Sequence, residues 1–192
     1  MSDDSSDART GPSAARPLSL RRRSRNVRIM LFVLIPVVVI AVLVAGLSVM
    51  TRRAEVKPSE WHIDPTTAPP TGNPNWYRVT PDSAPADRDA ERDGSAPIFT
   101  ADVAALAAAF DAVALADARV EVIAGSAADG FVTYMQRSAL FGFPDFISVK
   151  FVEVSNGSSL AIFSRARDGK SDLDVNNKRV TRWLDATAAR LN

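Results

Sequence analysis

The chain has no cysteine and a single histidine, His62, in 192 residues. The first absence excludes disulfides, thiolate metal sites and cysteine nucleophiles, and removes the usual clue to redox compartment. The second means that a multi-histidine zinc centre would need ligands from a partner, and leaves one imidazole for any Ser-His-Asp chemistry. Net charge is also scarce. With 23 Lys and Arg against 22 Asp and Glu the total is +1, which gives no electrostatic reason to expect nucleic acid. At this length there is room for one ordinary domain plus attachments.

What is present is an uninterrupted apolar run. Ile29 to Met50, "IMLFVLIPVVVIAVLVAGLSVM", holds no charged residue. As a helix it would measure roughly 33 Å, enough to cross a hydrocarbon core of about 30 Å. Pro36 and Gly46 are tolerated in membrane helices. Arg16, Arg21, Arg22, Arg23, Arg25 and Arg28 precede the run, and only Arg52, Arg53 and Lys57 follow it closely. That imbalance predicts a cytoplasmic N-terminus and an exported C-terminal portion, in a cytoplasmic (inner) membrane. A cleaved signal peptide would have an apolar region of about 7–15 residues and a small-x-small site; "AGLSVMTRR" offers a poor one, so an uncleaved anchor is expected. Residues 1–28, rich in Ser, Asp, Arg and Pro, are expected to be a disordered basic tail.

Residues 51–97 carry Pro58, Pro65, Pro69, Pro70, Pro74, Pro81, Pro85 and Pro97 and read as a stalk and lead-in without long helices. Within it "NWYRV" (75–79) suits one short edge strand, Trp61 suits either a membrane interface or plain packing, and the polar run to Pro97 reads as a solvated loop. The pattern sharpens over 98–192. Thr100 is placed to cap a helix with Asp102 in its first turn and Val103, Leu106, Ala107, Phe110 and Val113 along one stripe. "ARVEVIAG", "DGFVTYMQRS", "DFISVKFVEV" and "SSLAIFSRAR" are strand-like, and a closing helix begins near Asp174 with Val180, Trp183, Leu184 and Leu191 on one side. The fold class is α+β: a largely antiparallel sheet of four or five strands flanked by two helices, after one transmembrane helix.

Asn156-Gly157 suits a type I′ hairpin. If these are its two loop residues, Ser155 pairs with Ser158, Ser148 faces Arg165 and Lys150 faces Phe163. Ile147, Val149 and Phe151 then share an apolar face with Leu160, Ile162 and Ser164. The opposite face carries Phe146, Lys150, Phe163, Arg165 and Arg167, a cationic and partly apolar surface able to meet a lipid, an anionic envelope molecule or a protein partner, unless the stalk covers it.

The most crowded polar stretch is "SRARDGKSDLDVNNKR" (164–179). Read as an enzyme, it offers Asp145, Asp172 and Asp174 as carboxylates, or Lys170 beside Ser171, but adjacent Lys-Ser is not a recognised catalytic spacing. Read as a calcium loop, "DLDVN" lacks the loop glycine and has Trp183 where a bidentate glutamate belongs, so no metal is expected. Read as a structural corner, Gly169 turns the chain, Ser171 or Asp172 caps the closing helix, Asp174 and Lys178 lie four apart, and Arg165 or Arg179 pairs with Asp145 or Asp172. The third reading explains most residues, including Asn176.

"YMQRSALFGFPDFISVKF" followed by "IFSRARDGKSDLDVNNKRVTRWLDAT" resembles the domain-of-unknown-function 1499 family over about residues 96–190, and "EWHIDP…NWYRV" looks like the lead-in of membrane-anchored members. Gly142, Phe143, Pro144, Asp145, Ser164, Arg165, Arg167, Gly169, Ser171, Asp172, Val175, Asn176 and Arg179 fit its pattern. Asp174 stands where glycine is usual, and Asp168 where an aromatic is common. The resemblance implies no established activity, and no cofactor is expected. The expectation is an envelope binding or structural module in preference to an enzyme.

Overall fold

The computed structural model of the protein describes residues 19–69, 71–81, 92–169 and 174–192, with side chains placed from residue 30 onward and at Arg28. Contacts divide the chain into two compact units, Met1–Leu43 and Val44–Asn192. Helix α1, Ser19–Arg53, holds Pro36 in its interior. Its segment Met30–Arg53 is long and apolar enough to cross a membrane by length and composition, and its most apolar window is wholly unburied. A soluble helix would hide such a stripe on one side.

In the second unit come α2 (Pro58–Trp61), β1 (Trp76–Thr80), β2 (Asp93–Ser95), α3 (Val103–Ala116), β3 (Val120–Ser126), β4 (Phe131–Arg137), β5 (Pro144–Val154), β6 (Gly157–Ala166) and α4 (Val175–Leu191). The described strands form one six-stranded sheet in the order β2-β1-β6-β5-β4-β3. Every pairing is antiparallel except β1 with β2. The α+β class with a largely antiparallel sheet therefore holds, but the sheet has six strands rather than four or five. "NWYRV" is not an edge strand, because β2 pairs outside it. That three-residue strand, "DGS", has no strand propensity of its own. Arg78 holds it, through Nε to Asp93 Oδ1 at 2.5 Å and Nη2 to Oδ2 at 3.1 Å.

One sheet face carries the main core. Val132, Tyr134, Ile147, Val149, Phe151, Leu160 and Ile162 meet Leu106, Phe110, Val113, Val180 and Trp183 from the helices. Phe110 packs edge-on against Trp183 and Phe151, with centroids 5.8 Å apart in each pair. The expected α3 stripe is the buried one. Its cap is Asp102 and not Thr100: the Asp102 carboxylate accepts from the Ala105 amide at 2.7 Å. A carboxylate there also meets the positive end of the helix dipole.

The β5–β6 register differs by two residues from the turn-based expectation. Val154 pairs with Gly157, so Ser155 and Asn156 form the loop, and Ser148 faces Phe163 and Lys150 faces Ala161. Asn156 does not have the positive φ that a type I′ turn demands. Gly157 is needed for another reason. The chain at Phe99 bridges Ser158, and a Cβ on Gly157 (φ +139) would stand 2.0 Å from the Phe99 carbonyl oxygen. A slip of two keeps the side-chain parity, so the residues assigned to each face are as expected.

Candidate functional site

Two polar clusters lie on opposite faces of the sheet. The first sits under the start of α4. Arg179, 4% exposed, donates through Nη1 to Ser164 Oγ at 3.0 Å and to Asn176 Oδ1 at 2.8 Å, through Nε to Gln136 Oε1, and through Nη2 to Asp145 Oδ2. Asn176 Nδ2 continues to Asn75 Oδ1 at 2.7 Å, and Ser164 Oγ donates to Asn176 Oδ1 at 2.6 Å. One guanidinium thus joins β4, β5, β6, α4 and the approach to β1. The expected pairing of an arginine with Asp145 is made by Arg179, which a planar five-donor group suits and a lysine does not. Ser171 and Asp172, together with Lys170, lie outside the described residues. Gly169 has φ +89 after the end of β6, and Asp174 begins α4 at φ +62 without a side-chain cap bond.

That left-handed backbone gives a physical reason for the glycine usual at position 174. A side chain with a Cβ costs roughly 1–2 kcal/mol there, less for Asp than for most, while glycine adds about 0.5–1 kcal/mol of chain entropy. The Asp174–Lys178 pair, at 3.8 Å with both side chains more than half exposed, adds little. Asp174→Gly is expected to stabilise the domain by up to about 1 kcal/mol; a lowered denaturation midpoint would count against this account.

The second cluster is the cationic face, and it is not an open surface. Residues 54–69 and 71–75 lie across it as a strap. Trp61 stacks on Phe146 with centroids 3.8 Å apart, His62 stacks on Phe131 at 3.8 Å, and Trp76 meets Phe163 edge-on at 5.6 Å. Phe146, Phe163 and Arg165 are fully buried. Lys150 pairs with Asp64 of the strap at 2.5 Å. Arg167 lies half-buried past the strand end, bonded to Asp168 at 2.9 Å. Of the five residues expected to form one binding face, three are covered, one is engaged by the cover and one stands apart. The covering comes from aromatic stacking, which the proline-rich lead-in makes available.

Arg165 is the centre of this cluster. It donates to the Trp61 carbonyl through Nη2, and through Nη1 to the Phe163 carbonyl at 3.1 Å and to Ser148 Oγ at 3.2 Å. Its guanidinium lies 4.8 Å from the Phe163 centroid and 5.5 Å from that of Trp61. Among the described residues it has no carboxylate partner, and burial pulls it down to about 10. Sequence reasoning missed what continues from it: Ser148 Oγ and Thr133 Oγ1 are 3.1 Å apart, and Thr133 Oγ1 and His62 Nδ1 are 2.9 Å apart. The available signal was "EWHIDP", which places Trp61, the lone histidine and Asp64 within four residues.

Burial lowers the His62 pKa from 6.5. At Asp64 burial pushes the carboxyl up, but hydrogen bonds from Lys150 and Thr66 outweigh it and hold it below its ordinary value. For His62 the neutral form is favoured in the strap, so its contribution is present above about pH 6.5 and is lost as pH falls from there through the folded value. Strap opening, followed by Trp61 fluorescence, is expected to rise in that window and to flatten in His62→Gln. Asp64 acts lower, its contribution disappearing as pH falls through its own depressed value. A pH-independent signal between 7 and 5 would show that His62 does not hold the strap.

Among the described residues no group of three or more acidic or histidine side chains is placed to hold a metal. Asn176 turns inward to Asn75 and Ser164, and Trp183 is in the core.

The architecture defines a class: an α+β domain with one sheet face under two helices and the other under an aromatic strap, following an apolar N-terminal helix. The chain belongs to the DUF1499 family, described as a protein of unknown function, whose model matches residues 68–186. No curated protein and no solved structure matches it.

Proposed function

We propose that the chain is a single-pass protein of a cytoplasmic membrane, N-terminus inside, whose DUF1499 domain serves on the exported side as a binding or structural module of the cell envelope. One observation carries the choice of anchor over cleavable signal. The last turns of α1 are hydrogen-bonded to the domain: Ser48 Oγ donates to the Leu140 carbonyl at 2.6 Å, and Thr51 Oγ1 donates to the Phe141 carbonyl. Cleavage after the apolar run would discard part of this joint. Orientation is supported by the arginine excess before the run.

The test is the mass and protease accessibility of the full chain in membrane vesicles of known sidedness. A full-length protein, resistant to alkaline extraction and digested only from the exported face, is expected. A mature form beginning beyond residue 50, or digestion of the domain from the cytoplasmic face, would overturn the reading. An anion-binding role has one specific support, the buried Arg165 cation with no carboxylate partner among the described residues, and requires the strap to lift.

A further inference from the structure

The geometry points to a second membrane contact beside the helix: the loop of residues 138–143 rests on the bilayer surface and places Leu140 and Phe141 at the boundary between headgroups and acyl chains. The inference rests on α1 being a spanning anchor.

The loop reads "SALFGF" and carries no charge. It is folded on itself. The Ser138 amide donates to the Phe143 carbonyl at 2.9 Å, and the Phe143 amide to Ser138 Oγ at 3.0 Å. Its apolar tip is therefore held in place. Leu140 is 59% exposed, and the Phe141 and Phe143 rings, half-buried, lie 5.5 Å apart. A single exposed leucine would need no explanation. Its level along the helix supplies one.

The Leu140 carbonyl is bonded to Ser48, which lies inside the apolar run, five residues before Arg53. At 1.5 Å per residue that is about 7–8 Å along the helix axis from the end of α1. If the run is in hydrocarbon as far as Met50, the atoms of Leu140 share that depth, and an apolar tip matches it while an ordinary polar loop would not. The rim is cationic. Arg52 and Arg53 are exposed, and the Arg52 stem crosses Gly142 so closely that a Cβ there (φ +71) would come within 2.8 Å of it. Arg137 Nη1 donates to the Gly142 carbonyl at 3.2 Å, and the exposed Arg119 donates through Nε to the Arg137 carbonyl at 2.8 Å. Guanidinium groups around an apolar tip suit the phosphates of an anionic leaflet, with the stems lying along its apolar side.

Because the chain has no cysteine, a single Leu140→Cys carries an environment-sensitive fluorophore at one place only. Val38→Cys, within the apolar run, reports the anchor. Asn156→Cys, at the hairpin end of β5 about 33 Å away along the strand, is the control. Each full-length variant is placed in phosphatidylcholine–phosphatidylglycerol vesicles whose acyl chains are brominated near the headgroup or deeper. Expected are strong quenching at Val38, quenching at Leu140 several-fold greater than at Asn156 and favouring the shallow bromines, and little at Asn156. Quenching at Val38 with Leu140 no different from Asn156 would overturn the loop contact and leave the anchor standing. No quenching at Val38 would overturn the anchor and the loop contact with it.

Discussion

Arg179→Ala is expected to cost the domain about 3–5 kcal/mol, because it removes the buried donor of one ion pair and of three further hydrogen bonds at once. The size follows from what is left behind. Asp145 loses the guanidinium that neutralises it, and Gln136 Oε1, Ser164 Oγ and Asn176 Oδ1 each lose a donor in a place water does not reach. For a native state stabilised by some 5–15 kcal/mol this is a large fraction. Arg179→Lys should recover little, since one ammonium cannot reach four acceptors on four elements. Denaturant unfolding of detergent-solubilised full-length protein, read from the buried Trp183, gives the number. A loss below about 1 kcal/mol for Arg179→Ala would mean that the network is ornamental to stability.

Arg165→Met should behave differently, and the contrast is the informative result. Arg165 is fully buried with no carboxylate partner among the described residues, and a guanidinium held at about 10 instead of 12.5 bears roughly 3 kcal/mol of unfavourable burial. Methionine removes that penalty while filling much of the volume between Trp61 and Phe163. Global stability should therefore change by no more than about 1–2 kcal/mol. The strap, however, loses the bond to the Trp61 carbonyl and the stacking on a cation. Bonds from charged donors contribute about 1.5–3 kcal/mol each, so strap opening should become about 10- to 150-fold easier. Hydrogen exchange at the His62 and Ala68 amides, which are bonded to the Pro58 and Asp64 carbonyls, reads this directly. Amides of α3 and α4 should keep their protection. Equal loss everywhere would make Arg165 a general core residue, and no loss would remove it as the strap's anchor. A folded variant that also sheds a co-purifying anion would favour the binding role.

The two faces of β5 and β6 were legible because the strand period is two, and an even slip of register leaves every side chain on its own side. The register itself was not. Asn156-Gly157 carries a strong local turn signal, but Gly157 answers to the Phe99 segment, more than fifty residues away in sequence. The corner around Asp145 and Arg179 was legible as a set of complementary charges. Gln136 and Asn75, which complete it, were not, since they come from 43 and 101 residues away and neutral amides carry no pairing signal. The strap was hidden for a related reason. Proline content correctly argues against long helices, and a segment with only one short turn of helix announces nothing about what it covers.

The bond between Trp61 and Arg165 closes a loop of 104 residues. A ribosome makes the strap before any of the strands it covers, and β6, which supplies Arg165 and Phe163, comes near the end. Through most of synthesis Trp61 and His62 have no sheet to stack on, and closing so long a loop is slow compared with local contacts. The strap is thus made before every strand it covers and can dock fully only once β6 is complete. A chain stalled before residue 165 would present those aromatic rings to whatever chaperone or membrane surface stands nearby.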